Sequence, residues 1–78
     1  MVLTTHAREE MTAEGIDMED LWRVVVHGEV VQHQPYGVIR VAGVDTKGRP
    51  AIVCYRLNVR HEIVIVTTFL DTRASAAA

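Results

Sequence analysis

His6, Arg8, Arg40, Lys47, Arg49, Arg56, Arg60 and His61 are the side chains of this 78-residue chain suited to handling a phosphodiester. Metal-independent cleavage of RNA needs a base for the 2′-hydroxyl, an acid for the leaving oxygen and cations for the charge that builds between them. Histidine is the side chain suited to acid/base work near neutral pH, which makes His6 the acid/base candidate. With Arg8 and Arg49 it forms a candidate catalytic set. Arg40, Lys47, Arg56, Arg60 and His61 form a candidate anion- or RNA-binding set, because arginines on a sheet make a platform for anions. Each has a plainer reading beside the chemical one. His6 also suits a helix cap, Arg8 an ion pair on its own helix, and Arg49 a solvated hairpin tip. Thr67 and Thr68 offer hydroxyls near the last apolar run, or serve simply as strand formers.

Other chemistries find less support. Four histidines and one cysteine are present, but no H-x-x-x-H or C-x-x-C spacing occurs, so neither a metal nor a cofactor is expected. Glycine-rich phosphate loops and a G-x-S-x-G elbow are absent. Cys54, inside an apolar run, reads as a buried thiol. A single cysteine and no signal peptide point to a cytoplasmic protein, and the apolar run near residue 63 is too short to span a bilayer.

Net charge is −2, which does not favour a nucleic-acid binder, but the charge is unevenly spread. Through Asp20 one basic residue meets six acids; from Leu21 onward seven basic residues meet four acids. The first part is acidic and the second mildly basic, so a basic face could meet an anion or an RNA backbone. The plainer reading is a mixed, solvated surface.

The elements that must position these residues follow from local signals. Thr5 or His6 caps a first helix near 6–14; with His6 as cap, Glu9 completes a capping box. Gly15 ends it in the left-handed conformation, with Ile16 packing back on the last turn. Asp17 caps a second helix, over 17–27, whose Met18, Leu21, Trp22 and Val25 form one buried stripe. Gly28 stops it. Four strands follow: Glu29 to Gln34, Val38 to Val44, Ala51 to Leu57 and Glu62 to Leu70, joined by short turns that imply an antiparallel meander. On the last strand, alternation places Ile63, Ile65, Thr67 and Phe69 on one face and Val64, Val66, Thr68 and Leu70 on the other. The expected fold class is α+β: two N-terminal helices packed on a four-stranded antiparallel sheet, in one domain over 1–78, with a core at about 4–70 and a flexible tail at 71–78.

Five segments taken in order carry a resemblance: H-A-R-E-E-M from His6, G-I-D from Gly15, G-E-V-V from Gly28, K-G-R-P from Lys47 and I-V-I-V-T-T-F from Ile63. Over residues 4 to 70 the chain resembles the bacterial domain-of-unknown-function 4258 family. That family is distantly similar to the RelE/ParE and BrnT toxins, which place helices before an antiparallel sheet. The resemblance implies the same fold. Several of those relatives are messenger-RNA ribonucleases and some are gyrase poisons, so it also brings a toxin–antitoxin setting into view, although fold alone does not fix function.

Two functions follow as expectations. The first is a small, non-enzymatic interaction module of RelE/BrnT-like fold that binds a small protein, or itself as a homodimer. The alternative is a toxin-like, metal-independent endoribonuclease, with an antitoxin as partner and RNA as substrate. The charge balance favours the first. A thin core and a last strand apolar on both faces favour assembly, since a chain this short hides only about 60 % of its unfolded surface. The reading further expects Trp22 to be buried against the sheet, and His6 to reach Thr67 or Thr68 with an arginine nearby.

Overall fold

A computed structural model describes residues 1–72. The expected tail at 71–78 therefore falls largely outside the described residues. Two helices, α1 (Thr5–Glu14) and α2 (Met18–His27), pack on a five-stranded mixed sheet, an α+β fold. The strands are β1 (Val2–Leu3), β2 (Glu29–His33), β3 (Ile39–Val44), β4 (Pro50–Leu57) and β5 (Ile63–Leu70), in the order β1-β5-β4-β3-β2. From β2 to β5 the sheet is the expected antiparallel meander. The expectation of four strands missed β1, which pairs parallel to β5. Two residues carry no periodicity, so nothing in the sequence marks them.

The start of α1 also differs. Its N-cap is Thr4, not Thr5 or His6: Thr4 Oγ1 accepts from the Ala7 amide at 3.0 Å. The same hydroxyl donates to the carbonyls of Ile65 and Val66 on β5. One threonine thus caps the helix and ties it to the sheet. The α1 exit is as expected, with Gly15 at φ 67° and the Ile16 amide bonded to the Met11 carbonyl.

In α2, Asp17 is the cap and Asp20 completes a capping box. The buried positions are Asp20, Leu21 and Val24, so the inward face is rotated relative to the expected stripe. Trp22 is not buried against the sheet; it is 43 % exposed. The inward face is set by Asp20, which lies in the buried layer for reasons of charge given below. Gly28 joins α2 to β2 where no side chain fits: an added Cβ would lie 2.3 Å from the Val24 carbonyl and 2.7 Å from Val41 Cγ1.

The core between helices and sheet holds Ala7, Ile16, Leu21, Val24, Val41, Ala51, Val53 and Ile65. Register fixes which face each β5 residue serves. Cys54 pairs with Thr67 but Tyr55 with Ile65, so Val66 is an extra, bulged residue. The bulge reverses the alternation beyond it. Thr68 and Leu70, opposite Val53 and Ala51, join Ile63 and Ile65 on the helix side; Thr67 and Phe69 lie with Val64 on the other. This corrects the simple alternation expected for the strand.

Candidate functional site

The β3–β4 loop, Asp45 to Arg49, folds around its own first side chain. Asp45 Oδ1 accepts from the amides of Lys47 (2.8 Å) and Arg49 (2.9 Å), and Arg49 Nε donates to Oδ2 at 2.7 Å. Gly48 supplies the left-handed residue at φ 78°. The loop then closes on the helices. Lys47 Nζ lies 2.8 Å from Asp20 Oδ2 and 3.4 Å from Asp17 Oδ2. The amide and the hydroxyl of Thr46 both donate to Asp20 Oδ1. Arg49 reaches the carbonyls of Glu14 and Gly15, at 3.4 and 2.9 Å, which are orphans at the end of α1.

The result is a polar clamp joining both helices to the sheet. Asp20 and Asp45 are almost wholly buried. Burial alone would raise both carboxyl pKa values. For Asp20, hydrogen bonds from the Asp17 amide, Lys47 and Thr46 outweigh it and hold the pKa far below the usual carboxylate range. For Asp45, the amides of Arg49 and Lys47 and the Arg49 guanidinium likewise outweigh burial and lower the pKa. The hydrogen bond to Asp20 raises the Lys47 pKa. Lys47 and Arg49, expected to meet an external anion, have their charges answered from within. Asp17, Asp20 and Asp45 are the residues that sequence reasoning overlooked as a set. Each reads locally as a cap or a turn former, and their convergence joins segments about 26 residues apart.

Arg40 and Arg56 share the sheet face turned away from the helices: Arg40 pairs with Cys54, and Arg56 follows two residues later on β4. The Arg40 guanidinium lies 5.5 Å from the centre of the Phe69 ring, within cation–π range. Since β4 separates β3 from β5, the Arg40 side chain crosses β4 to get there, over the surface of Ile52 and Cys54. Those two residues, outside the helix-side core, are 4 % exposed. Burial pushes the Cys54 thiol pKa up, making it a poor nucleophile. A cleft of about 400 Å³ lined by Arg40, Phe69, Leu70, Asp71 and Thr72 opens beside this roof.

Arg60 and His61 occupy the exposed β4–β5 loop, at the other end of β4 from the clamp. His6 is exposed, and its one charged neighbour among the described residues is Glu10, 3.8 Å away on the next turn of α1. Among the described residues it makes no hydrogen bond to Thr67 or Thr68; Thr68 Oγ1 donates instead to the Ile52 carbonyl at 2.9 Å. The expected meeting of His6 with the last strand is made by Thr4. Arg8 is exposed on α1 and forms no ion pair among the described residues. The two candidate sets are thus distributed among α1, the clamp, the far sheet face and the β4–β5 loop. Among the described residues no group of three or more histidine, cysteine, aspartate or glutamate side chains is arranged to hold a metal ion, and no helix is long and apolar enough to cross a membrane.

Comparison with known proteins agrees with the ordered segments. The chain belongs to the family described as domain of unknown function DUF4258, whose model matches residues 3–70. No curated protein and no solved structure matches it.

Proposed function

We propose that this member of the DUF4258 family is a non-enzymatic interaction module, of RelE/BrnT-like fold, that acts in the cytoplasm by binding a small protein or a second copy of itself. One observation carries the reading: the residues suited to phosphodiester chemistry do not converge. Lys47 and Arg49 are neutralised by Asp17, Asp20 and Asp45. His6 stands on the helix layer beside Glu10, while Arg40 and Arg56 lie across the sheet. A general acid or base must come within hydrogen-bond reach of the proton it moves while the cations hold the same phosphate. A structural use of the cations also agrees with the acidic balance of the chain.

The second reading is a metal-independent endoribonuclease of a toxin–antitoxin system. The shared face of Arg40 and Arg56, with the Arg40 guanidinium over the Phe69 ring, favours it, since cations beside an aromatic ring suit a single-stranded backbone.

Inducible expression of the chain, scored for growth and RNA integrity beside His6→Ala and Arg40→Ala, separates the two. Intact RNA and unchanged growth in all three cultures are expected. RNA cleavage by the purified parent chain that Arg40→Ala abolishes would establish the second reading in place of the first.

A further inference from the structure

We infer that the end of the sheet opposite the clamp, formed by the β2–β3 turn and the β4–β5 loop, docks an acidic segment of a partner protein that carries an apolar side chain among its carboxylates. The inference rests on the interaction-module reading and names the surface and the partner's chemistry.

Topology sets the two turns side by side. Ile39, which opens β3, pairs with Tyr55, near the end of β4. The turn before Ile39 and the loop after Leu57 therefore leave the sheet at the same end. Their hairpins are neighbours in the strand order, so their midpoints stand two strand spacings apart, about 10 Å. A few extended residues, at about 3.3 Å each, span that gap.

Each tip holds a large apolar side chain in solvent. Tyr36 and Val59 are both 97 % exposed, the highest values among the large apolar residues described. The backbone is strained at the same two places. Tyr36 in the turn and His61 in the loop, at φ 63° and 61°, are the non-glycine residues with positive φ among those described. Glycine or asparagine would sit there with less strain. The Tyr36 side chain packs on almost nothing and makes no hydrogen bond among the described residues, so the fold itself gains nothing from it. Strain without an internal return gathers where a chain meets a ligand or partner.

Charge names the occupant. Arg56, at the end of β4, and Arg60, in the loop, form no ion pair among the described residues. The one carboxylate of the loop, on Glu62, is engaged by Asn58 Nδ2 at 3.2 Å. Lys47 and Arg49, at the other end of the sheet, are answered by Asp20 and Asp45. Two free guanidiniums beside two apolar tips suit carboxylates that flank an apolar anchor. A single strand of nucleic acid is met less well, because its bases stack on flat rings and Val59 offers none. A second copy docked tip to tip would gather four guanidiniums into one small patch.

Random dodecapeptides displayed on phage and selected on the immobilised chain test the inference. Aspartate and glutamate should be enriched around a leucine, isoleucine or aromatic residue. The most enriched peptide, made with a fluorescent label, should bind the parent chain. Tyr36→Asn should weaken that binding roughly fivefold or more, and Arg56→Glu combined with Arg60→Glu roughly tenfold or more. All three positions are exposed, and circular dichroism of each variant confirms that it folds. Because asparagine tolerates the left-handed region, the urea midpoint of Tyr36→Asn should not fall, and a purely structural tyrosine would not separate binding from stability in this way. Selection that enriches no sequence, or basic or uncharged ones, overturns the inference. So does binding that both variants retain, which moves the contact elsewhere. Oligouridine that displaces the peptide at a lower concentration than unlabelled peptide does would assign the surface to nucleic acid instead. Self-association that Tyr36→Asn abolishes, read by sedimentation, would assign it to a second copy. RNA cleavage by the purified chain would overturn the interaction-module reading, whereas failed selection overturns this surface alone.

Discussion

The two hairpin loops at opposite ends of β4 are built on one plan and put to opposite uses. Each is five residues long and opens with an aspartate or asparagine. Asp45 Oδ1 accepts from the amides of Lys47 and Arg49; Asn58 Oδ1 accepts from those of Arg60 and Glu62, at 2.9 and 3.0 Å. The fourth residue of each is left-handed, Gly48 at φ 78° and His61 at φ 61°. The fifth side chain bonds back to the first, Arg49 to Asp45 and Glu62 to Asn58. Sequence makes them diverge from there. The Asp45 loop carries a buried carboxylate and cations that two helices and a second buried carboxylate answer. In the Asn58 loop the first residue is neutral, Val59 is almost wholly exposed, and the Arg60 side chain forms no ion pair among the described residues. Identical backbone chemistry therefore yields a structural joint in one place and a bare tip in the other. A loop cation indicates a binding site only when its own fold leaves it unanswered.

The largest test of this contrast removes the first side chain of each loop. Asp45→Ala leaves the amides of Lys47 and Arg49 without an acceptor and the Arg49 guanidinium without its carboxylate. Breaking a buried pair from one side costs about 3–5 kcal/mol. Asn58→Ala removes three hydrogen bonds, all exposed; water replaces them there, so the loss should be no more than about 1.5 kcal/mol in all. Urea unfolding of the two variants measures both. Losses of equal size would show that the Asp45 loop is no more of a joint than its counterpart.

Acid provides the next test. Asp20 and Asp45 have folded-state pKa values below the unfolded carboxylate value of about 3.9. Depressed values give stability that is fully present above the unfolded pKa and is lost as pH falls toward the folded one. Urea midpoints should hold steady from neutrality to about pH 5 and then decline. In Asp45→Asn the decline should be shallower, because one of the two responsible groups is gone. An Asn58→Ala profile should run parallel to that of the parent chain. A steeper acid decline in Asp45→Asn would contradict the assignment.

The same contrast explains what was legible in the sequence. The exit of α1, both ends of α2, the four long strands and the glycine stops were readable because each depends on neighbours within about four residues; the start of α1 was not, because its cap, Thr4, is chosen by its bonds to β5. Nor was the clamp. Asp17 and Asp20 read as helix-start acids, and Asp45-Thr46-Lys47-Gly48-Arg49 as a turn, because each fragment is also a normal local signal. Only the fold brings Lys47 to Asp20. The error at Trp22 has the same root: apolar spacing suggested a stripe through Met18 and Trp22, but a buried Asp20 with its charge satisfied rotated the helix. At β5, a bulge at Val66 hides inside an unbroken run of strand-forming residues, where no composition change marks it.

The smallest effect concerns the fourth residue of each loop. A side chain in the left-handed region costs about 1–2 kcal/mol relative to glycine, which bears no Cβ. Gly48→Ala therefore should destabilise the chain by about 1 kcal/mol from backbone strain. No atom lies near enough to an added Cβ there to clash, so no packing loss adds to the backbone strain. His61→Gly is the reciprocal exchange. It relieves the strain but adds unfolded-state freedom worth roughly 0.5–1 kcal/mol, so the net gain should be a few tenths up to about 1 kcal/mol. Opposite signs for the two exchanges, read from urea midpoints at one pH, would confirm that the loops share one backbone and differ in side chains alone. A loss of stability in His61→Gly would mean that the imidazole makes a contribution in its loop that Gly48 has no counterpart for, and the common plan would fail at its fourth position.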